Sequence, residues 1–506
     1  MASANRWKQG VLGIVAAAAT VAMLWFGNGL DPWWPLMWFA PLPVLVFALR
    51  SSWWAAGLAA GAAWLVAGLN LWGYLHRLGL PFAAWLGIFG VVAAFAAAAV
   101  LLFRALVLRG ALWSGLIAFP AVWVTLEYLR NLTTPHGTAG SVAYTQLKFL
   151  PFLQLASITG PWGMTFLLLL FPAALAIGWH LRSREPRRAF RVLAVTFGVL
   201  CAVLLFGAAR LFMTPRGPLV RVGLIASDLP ANDGIAANGA DAQRLFESYA
   251  AEAERLTAGG AQIVVLPEKL GAVLDAKNGK ADPIFQRLAD RTGATIVVGQ
   301  LHISGAQKYN QARIYQPHED VLSYDKEHML PPFESPLTPG TALVTLPKPS
   351  APWGVAICKD MDFAAPARRY GKADVGLMLV PAWDFNRDRT WHGHIAVMRG
   401  VENGFSLVRA AKNGFLTVSD DRGRVLAEAR SDAAPFSTLL ASVPAAHSAT
   451  LYLLLGDWFA WLACALLVLV IVQLCRISFA AASPSARRHE QTSEAGRKNG
   501  VGRTAV

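Results

Sequence analysis

The sequence predicts a multi-span α-helical membrane domain joined to a soluble α/β domain, and three observations support this fold class. The chain has 506 residues, of which 55% are hydrophobic and only 15% are charged, and its mean hydropathy is +0.42. The charges are unevenly distributed, because residues 10–213 contain long uncharged runs whereas residues 214–449 alternate strand-like and helix-like segments. We therefore predict a membrane domain over 1–213, a catalytic α/β domain over 214–449, a closing span over 450–475 and a basic disordered tail over 476–506.

Eight stretches are long enough to span a membrane. A helix needs ~20 predominantly apolar residues to cross the hydrocarbon core. The candidates are 10–29, 33–49, 53–74, 80–108, 111–129, 160–181, 190–213 and 450–475. Seven of them precede the soluble segment, so this segment and the N-terminus should lie on opposite sides of the membrane.

Basic residues flank the apolar runs and predict the orientation. Arginine and lysine accumulate near the N-terminus, over 104–110 and 182–191, and beyond residue 475. Because cytoplasmic loops of membrane proteins are enriched in basic residues, we expect a multi-pass protein of the bacterial inner membrane with both termini in the cytoplasm and 214–449 in the periplasm. Anionic lipid headgroups are the expected partner of the formal net charge of +14, and nucleic-acid binding is not expected.

Within the soluble segment, strand patterns and helix patterns alternate. Runs such as 263–266 and 376–380 are apolar at every position, which is typical of strands whose two faces are both buried in a layered α/β structure. Predicted strands cover 219–225, 262–266, 294–299, 312–317, 341–346, 353–358, 375–380, 405–410, 414–418 and 424–428, and predicted helices cover 241–256, 282–292 and 392–403. Sites in such sheets form at one edge, where the strands end.

Cys358 is the one cysteine of the soluble segment, and it follows the apolar run 353–357. The other cysteines lie within or at the edge of apolar stretches: Cys201, Cys464 and Cys475. A disulfide with them is not expected, so Cys358 is either a buried structural residue or a nucleophile. Glu268 and Lys326 are also expected at strand ends, so a carboxylate, an amine and a thiol can meet at one edge of the sheet.

These three side chains are suited to acyl chemistry. A thiol that attacks an acyl carbon must lose its proton, and Glu268 can accept it if a dry environment raises the pKa of this carboxyl group towards neutrality. Lys326 would stabilise the thiolate and then the tetrahedral oxyanion, together with a backbone N–H after Cys358. Glu334 could orient the lysine or the substrate. The alternative is that Lys326 and Glu334 are ordinary surface residues.

Two further features concern the type of site. His392 and His394 are two residues apart on a predicted helix and lack a suitably spaced partner, and no glycine loop cradles a phosphate, so neither zinc nor any other cofactor is predicted.

Glu127 lies inside the fifth predicted span, where a charge is costly in lipid. It either pairs with Arg130 at the helix end or has a role with substrate.

Motifs around these residues match those of one protein family. In the soluble segment they are Leu266-Pro267-Glu268, Tyr324-Asp325-Lys326, Pro332-Phe333-Glu334 and Ile357-Cys358. In the membrane segment the matching stretches are 123–130, 144–146 and 154–163. With these motifs the chain resembles the carbon–nitrogen hydrolase (nitrilase) superfamily, and most closely its membrane branch, the bacterial apolipoprotein N-acyltransferases. The resemblance covers nearly the whole chain, and the number of spans together with the triad makes it specific.

The resemblance implies a four-layer αββα catalytic domain between the seventh and eighth spans. It implies Glu268 as the base, Lys326 as the stabiliser of oxyanion and thiolate, and Cys358 as the acyl-accepting nucleophile, with Glu334 and Asp360 in supporting positions. The implied reaction moves an acyl chain from a phospholipid to the cysteine and then to the N-terminal amine of a diacylated lipoprotein. The alternatives are a membrane-tethered amidase, in which water is the acceptor, and an inactive lipid-binding or transport scaffold.

The sequence departs from the family pattern near the predicted site. The usual Cys-Tyr-Glu is here Cys358-Lys359-Asp360, and the usual Asn-Asp-Ala-Trp-Phe is Pro-Ala-Trp-Asp-Phe over 381–385. The stretch between Lys326 and Cys358 is also shorter than is usual. These differences change the mouth of the site more than its chemistry. We therefore expect acylation of the cysteine by phospholipid to be preserved better than transfer to a lipoprotein amine.

Overall fold

In the computed structural model, a bundle of long helices carries an α/β domain at one of its ends. The structure describes residues 2–213, 217–230, 232, 234–236, 239–274 and 281–482. The helices of the bundle are Ala2–Gly27, Leu42–Ala48, Trp53–Ala67, Trp72–Arg77, Phe82–Leu108, Leu112–Thr133, Leu150–Leu153, Ala156–Leu181, Pro186–Phe212, Leu451–Leu455 and Trp458–Ala482, with 3₁₀ turns at Trp34–Trp38, Gly68–Leu71 and Val142–Gln146.

Seven helices in the described part of the chain are long and apolar enough to cross a membrane. Their spanning segments are Trp7–Gly27, Trp53–Arg77, Phe82–Leu108, Leu112–Thr133, Ala156–Leu181, Pro186–Phe212 and Trp458–Ala480. Each corresponds to one of the predicted spans, so the predicted helical membrane domain is confirmed.

The predicted span over 33–49 has a different structure from the other seven. It consists of the 3₁₀ turn Trp34–Trp38 and the short helix Leu42–Ala48. Pro41 and Pro43 lie at the junction, and a proline inside a helix removes a backbone donor and clashes with the preceding turn. The segment is therefore not the single long helix that the prediction describes.

This segment nevertheless connects the two ends of the bundle. At the end beside the α/β domain, the Trp34 ring stacks on Phe149 with 4.7 Å between the ring centroids. At the opposite end, the Arg104 guanidinium donates to the carbonyl oxygens of Ala48 at 2.9 Å and Ser51 at 2.7 Å. The chain therefore passes from one end of the bundle to the other between these two contacts.

The last span begins later and continues further than predicted. The helix Leu451–Leu455 ends at Gly456, whose φ of +65° breaks the helix, and the long helix Trp458–Ala482 follows. The predicted bounds 450–475 therefore combine two helices. Of the predicted tail over 476–506, residues 476–482 are helical, and residues 483–506 lie outside the described residues.

The α/β domain contains two sheets. The first has the strand order Ser437–Pro444, Leu219–Ala226, Ile263–Val265, Thr295–Ser304, Gln307–Tyr315 and Leu322–Asp325, with Ala272–Leu274 paired beside Thr295–Ser304. The second has the order Val425–Arg430, Phe415–Ser419, Ser406–Lys412, Leu377–Trp383, Trp353–Val355 and Thr345–Leu346. Three adjacent strands in each sheet are parallel, so their carboxyl ends lie at one edge.

The two sheets pack face to face, and helices cover their outer faces. One buried cluster contains residues of both sheets, among them Val222, Leu224, Val355 and Leu379. The helices Gly239–Ala258 and Ala281–Thr292 cover the first sheet, and Ala364–Lys372 and Arg389–Asn403 cover the second. The predicted four-layer αββα arrangement is therefore confirmed.

Polar contacts join the α/β domain to the end of the helical bundle. The Tyr74 hydroxyl donates to Asp388 Oδ2 at 2.6 Å, and Gln154 Nε2 donates to the Arg422 carbonyl oxygen at 2.8 Å. The hydroxyl of Thr138 lies in the loop that follows the helix Leu112–Thr133 and donates to the Asp362 carbonyl oxygen at 2.8 Å. This last contact brings a loop of the bundle close to the turn that contains Cys358.

Candidate active site

Cys358 occupies a sharp turn between a strand and a short helix. The strand Trp353–Val355 lies parallel to Leu377–Trp383, and the 3₁₀ helix Cys358–Asp362 begins at the cysteine itself. The φ of Cys358 is +43°, a left-handed conformation that destabilises a residue with a side chain by roughly 1–2 kcal/mol. Its sulfur is partly buried and lies 3.6 Å from the Trp383 carbonyl oxygen. The strained turn therefore presents the thiol at the edge of the sheet.

Glu268 reaches the same edge from the first sheet. It follows the strand Ile263–Val265, and its backbone N–H donates to the carbonyl oxygen of Ala382, a residue of the second sheet, at 3.2 Å. The close approach of backbones here requires Gly299, since a Cβ at that position would lie 2.3 Å from the Pro267 carbonyl oxygen. The two sheets are thus joined where their strands end, and Glu268 is buried there.

Lys326 lies between two buried carboxylates. Its Nζ is 2.8 Å from Glu268 Oε1 and 2.8 Å from Glu334 Oε2. Its backbone N–H donates to the Asn310 carbonyl oxygen at 2.8 Å, which continues the pairing of the strand Leu322–Asp325. Lys326 is 2% exposed and Glu334 is 1% exposed, so the alternative that they are surface residues is wrong.

Asn310 and Lys269 complete this charged network, and neither is predicted by the sequence motifs. Asn310 Nδ2 donates to Glu268 Oε1 at 2.5 Å and to Glu334 Oε1 at 2.7 Å. Lys269 donates to Glu334, and its Nζ is 3.7 Å from Glu268 Oε1. The signal for Lys269 is its place directly after the Glu268 motif. Asn310 gives no local signal, because it lies in the middle of the strand Gln307–Tyr315.

The condition considered for Glu268, a pKa raised by a dry environment, is not met in this site. Burial does favour the neutral carboxyl group, but the charges of Lys326 and Lys269, with the hydrogen bonds from Lys326 and Asn310, outweigh it and lower the pKa of Glu268 to about 2. Glu268 is therefore a carboxylate at neutral pH, able to accept a proton.

The thiol of Cys358 is protonated in the resting site. Burial raises its pKa well above the usual value, and the Glu268 carboxylate raises it further, whereas Lys326 acts in the opposite direction. Burial opposes the charge on Lys326, but Glu268 and Glu334 hold the pKa of this lysine well above its usual value. The site thus combines a neutral thiol, a carboxylate and a permanent cation.

Asp360 ties the cysteine turn to a neighbouring loop. Its fully buried carboxylate accepts hydrogen bonds from the Tyr324 hydroxyl at 2.8 Å and from the His328 backbone N–H at 2.8 Å. It also accepts from the backbone N–H groups of Glu327 and Ile357, each at 3.1 Å. Asp360 therefore positions the turn and does not belong to the charged network of Glu268.

A cavity of about 460 Å³ lies between the helical bundle and the α/β domain. The bundle contributes mostly apolar side chains to it, among them Leu24, Trp64, Leu75, Ile88, Phe89 and Trp123. The α/β domain contributes Pro331, Phe333 and Lys359. Lys359 and Phe333 directly follow and precede residues of the charged site, Cys358 and Glu334, which are not themselves among the lining residues. Alkyl chains are the ligands that such an apolar wall accommodates.

Glu127 and Arg130 line this cavity but do not form the ion pair considered for them. Glu127 accepts hydrogen bonds from the Ser141 hydroxyl at 2.7 Å and from the Val142 backbone N–H at 2.8 Å. Arg130 donates to the Ala139 carbonyl oxygen at 2.9 Å. A loop at the end of the bundle therefore contacts both side chains, and it leaves most of the Arg130 donors without a protein partner among the described residues.

His392 lies between two aspartates. Its Nδ1 is 3.0 Å from Asp362 Oδ1, and its Nε2 is 3.4 Å from Asp388 Oδ2. Burial opposes the imidazolium, but these two carboxylates raise the pKa of His392 well above the usual value. Across the described residues, no group of three or more histidine, cysteine, aspartate and glutamate side chains could hold a metal ion.

The chain is similar to known proteins along most of its length. The family model of the apolipoprotein N-acyltransferase N-terminal domain matches residues 16–174, and that of the carbon–nitrogen hydrolases matches residues 240–446. The apolipoprotein N-acyltransferase of Geobacter metallireducens is 27% identical over 84% of this chain and 88% of its own. That of Bradyrhizobium diazoefficiens is 26% identical over 92% of this chain and 95% of its own. An amidase structure from Nesterenkonia sp. is 21% identical, covers 45% of this chain and 92% of its own, and has a TM-score of 0.38.

The two matched regions correspond to the two parts of the molecule. The first lies in the helical bundle, and the second covers the α/β domain with its thiol and charged network. The similarity to the two relatives covers 84% and 92% of this chain and therefore includes residues of both parts. The chain is therefore similar, in both of its parts, to the apolipoprotein N-acyltransferases.

Proposed function

We propose that this protein transfers an acyl chain from a phospholipid to Cys358 and from there to the N-terminal amine of a diacylated lipoprotein. The observation that carries the proposal is the buried contact of Lys326 with Glu268 and Glu334, at 2.8 Å each, beside a thiol whose pKa responds to both Lys326 and Glu268. A base, a cation and a nucleophile in one site are the groups that acyl transfer requires. The name of the relatives supports the same reaction.

In the first half-reaction, Glu268 accepts the thiol proton while the sulfur of Cys358 attacks the ester carbonyl carbon of the lipid. The C–S bond forms and the carbonyl oxygen becomes an oxyanion. The oxyanion then collapses, the ester C–O bond breaks, and Glu268 gives the proton to the departing oxygen. The products are a lyso-phospholipid and a thioester on Cys358.

Lys326 stabilises the oxyanion in this scheme. An ammonium group has three N–H donors, and two of them are directed to Glu268 and Glu334. The third remains for the oxyanion, together with a backbone N–H after Cys358. The two carboxylates keep the lysine charged and fix its position before the substrate arrives, so little reorganisation is needed during the reaction.

In the second half-reaction, the amine of the acceptor attacks the thioester carbon. Glu268 accepts a proton from the attacking nitrogen, the C–S bond breaks, and the proton returns to the sulfur of Cys358. An amide has then formed and the resting thiol is restored. The apolar cavity beside Lys359 suits a donor and an acceptor that are both anchored in lipid.

The proposed topology has eight crossings, with the α/β domain in the periplasm and both termini in the cytoplasm. The contacts of Trp34 and Arg104 support a crossing by the short segment between them, which adds to the seven long helices. The end of the bundle opposite the α/β domain carries the Arg-rich loop 182–191, in agreement with the positive-inside rule. A reporter active only in the periplasm should be active after residue 216 and silent after residue 487.

The experiment that tests the function uses purified protein with phospholipid carrying a labelled acyl chain. We expect a hydroxylamine-sensitive acyl-enzyme and lyso-phospholipid, followed by transfer of the label to a diacylated lipopeptide. Cys201→Ala is the matched control, because this exposed cysteine lies in the helix Pro186–Phe212, and it should leave the reaction unchanged. Rapid hydrolysis of a simple amide, with no acyl-enzyme from phospholipid, would instead identify an amidase.

A further inference from the structure

A second buried lysine, Lys359, faces the cavity and forms no direct ion pair with a carboxylate of the described residues. It is 4% exposed and lines the cavity between the bundle and the α/β domain. Its Nζ lies 3.2 Å from His136 Nδ1, and no carboxylate oxygen of the described residues lies within 4 Å of it. A buried ammonium group without a carboxylate is unfavourable, so this charge is available to a ligand.

His136 holds Lys359 in place without neutralising its charge. Because an ammonium group has only donors, Nδ1 of His136 must accept the hydrogen bond, and the ring proton is then on Nε2. Burial and the charge of Lys359 lower the pKa of His136 to about 4, so the ring is neutral at pH 7. The imidazole therefore presents one further N–H donor.

Arg130 adds a second cation to the wall of the same cavity. Its guanidinium donates to the Ala139 carbonyl oxygen at 2.9 Å and packs against Gly140, where a Cβ would lie 2.9 Å from Nη2. No carboxylate oxygen of the described residues lies within 4 Å of the guanidinium. Arg130, His136 and Lys359 all line this cavity, and the charges of Arg130 and Lys359 both lower the pKa of His136.

The acidic side chains of the cavity are already engaged elsewhere. Asp362 Oδ1 lies 3.0 Å from His392 Nδ1, and Asp362 shares this protonated ring with Asp388, so its charge also acts on Lys359 from beyond ion-pair distance. Glu127 accepts hydrogen bonds from Ser141 and from the Val142 backbone. The cluster of Lys359, Arg130 and His136 therefore presents only donors, two of them on cations.

We infer that Lys359 and Arg130, with the Nε2–H of His136, bind the phosphodiester group of the donor lipid. Phosphate oxygens accept charge-assisted hydrogen bonds from ammonium and guanidinium groups. Lys359 directly follows Cys358, with about 3.8 Å between their Cα atoms, so the lysine that binds the phosphate is anchored next to the residue that attacks the ester. The inference rests on the proposed function, and it gives a role to the lysine that replaces the tyrosine usual in the family.

The test measures lipid binding in a full-length Cys358→Ala background, in detergent, so that no acyl transfer is needed. The probes are a short-chain phosphatidylglycerol, the diacylglycerol with the same acyl chains, and inorganic phosphate. Adding Lys359→Met should weaken phosphatidylglycerol binding roughly 10- to 100-fold and leave diacylglycerol binding unchanged. Lys359→Arg should retain most of the affinity. Lys348→Met is the matched control, because Nζ of Lys348 lies 4.7 Å from the Trp353 ring centroid and outside the cavity lining.

Two results would overturn the inference. The first is that Lys359→Met weakens the binding of phosphatidylglycerol and of diacylglycerol equally, or weakens neither. This result counts when the variant unfolds at the same temperature as its parent. The second is that inorganic phosphate binds as tightly as phosphatidylglycerol and loses affinity to the same extent in Lys359→Met. The natural ligand of the cluster would then be free phosphate. Failure of the proposed function is seen separately, as the absence of an acyl-enzyme in protein that retains Cys358.

Discussion

Lys326 and Lys359 are buried to nearly the same extent, 2% and 4% exposed, but their surroundings differ. Lys326 lies 2.8 Å from each of two carboxylates, whereas the nearest polar partner of Lys359 is a neutral imidazole 3.2 Å away. A buried charge needs compensation. For Lys326 the protein supplies it, so this lysine is fixed for chemistry on any acyl donor. For Lys359 a ligand supplies it, so this lysine selects the donor that carries a negative charge.

The largest expected effect on acyl transfer comes from replacing Cys358, the proposed nucleophile. Cys358→Ala should abolish the acyl-enzyme with every donor, because no other described thiol adjoins the network. Cys358→Ser should be nearly as inactive, since a hydroxyl is far harder to ionise beside the same base. Labelled phospholipid and gel fluorography measure the acyl-enzyme. Near-normal transfer by Cys358→Ala would exclude a thioester mechanism.

Glu268→Gln should slow acyl transfer and at the same time make the Cys358 thiol easier to ionise. The amide keeps the size of the carboxylate but accepts no proton, so acyl transfer should fall by about 10²–10⁴-fold. Its negative charge raises the pKa of Cys358, so its removal should shift the pH midpoint of Cys358 alkylation downwards. A slower transfer together with a lower midpoint would identify Glu268 as the base beside the thiol. An unchanged pH midpoint of alkylation would mean that Glu268 does not act on the thiol.

Lys326→Met should shift the same alkylation midpoint upwards, because the lysine charge favours the thiolate. It should also slow acylation by phospholipid and by diacylglycerol alike, in contrast to Lys359→Met. Removing one partner of a buried ion pair destabilises a protein by about 3–5 kcal/mol, so the thermal unfolding midpoint must be measured as well. Lys326→Met combined with Glu334→Gln leaves fewer unpaired charges and should recover part of the stability but not the activity.

The smallest expected effect lies outside both lysine environments, at the contact between the bundle and the α/β domain. Tyr74→Phe removes the hydrogen bond to the Asp388 carboxylate, which is 2.6 Å long, and should reduce stability by about 1.5–3 kcal/mol. Acylation rates with phospholipid and with diacylglycerol should change by the same factor. If the acylation rate fell with phospholipid but not with diacylglycerol, residues outside the environment of Lys359 would also contribute to the choice of donor.

Local sequence signals predict most of the fold. Long apolar runs identify the seven long spans, and continuous apolar strands such as 376–380 predict a sheet covered on both faces. The segment 33–49 is apolar enough for a span, but its prolines interrupt the helix. The strand Ser437–Pro444 carries no such signal, because it exists through pairing with Leu219–Ala226, more than two hundred residues earlier.

The candidate site is less predictable than the fold. The motifs identify Glu268, Lys326 and Cys358, but the direction of the Glu268 pKa shift depends on its contacts with Lys326, Lys269 and Asn310 in the folded chain, of which only the adjacent Lys269 is near it in the sequence. The contact of Lys359 with His136 joins residues 223 positions apart, in different parts of the molecule. No periodicity or spacing in the sequence encodes such a contact.

Mass spectrometry of the purified protein after incubation with phospholipid tests the thioester on Cys358 most directly. The peptide that contains Cys358 should gain the mass of one acyl chain, lose it on treatment with hydroxylamine, and lose it on addition of a diacylated lipopeptide as the lipopeptide gains it. Lyso-phospholipid should appear in equal amount. An unmodified Cys358 peptide while the lipopeptide becomes acylated would contradict the proposed mechanism.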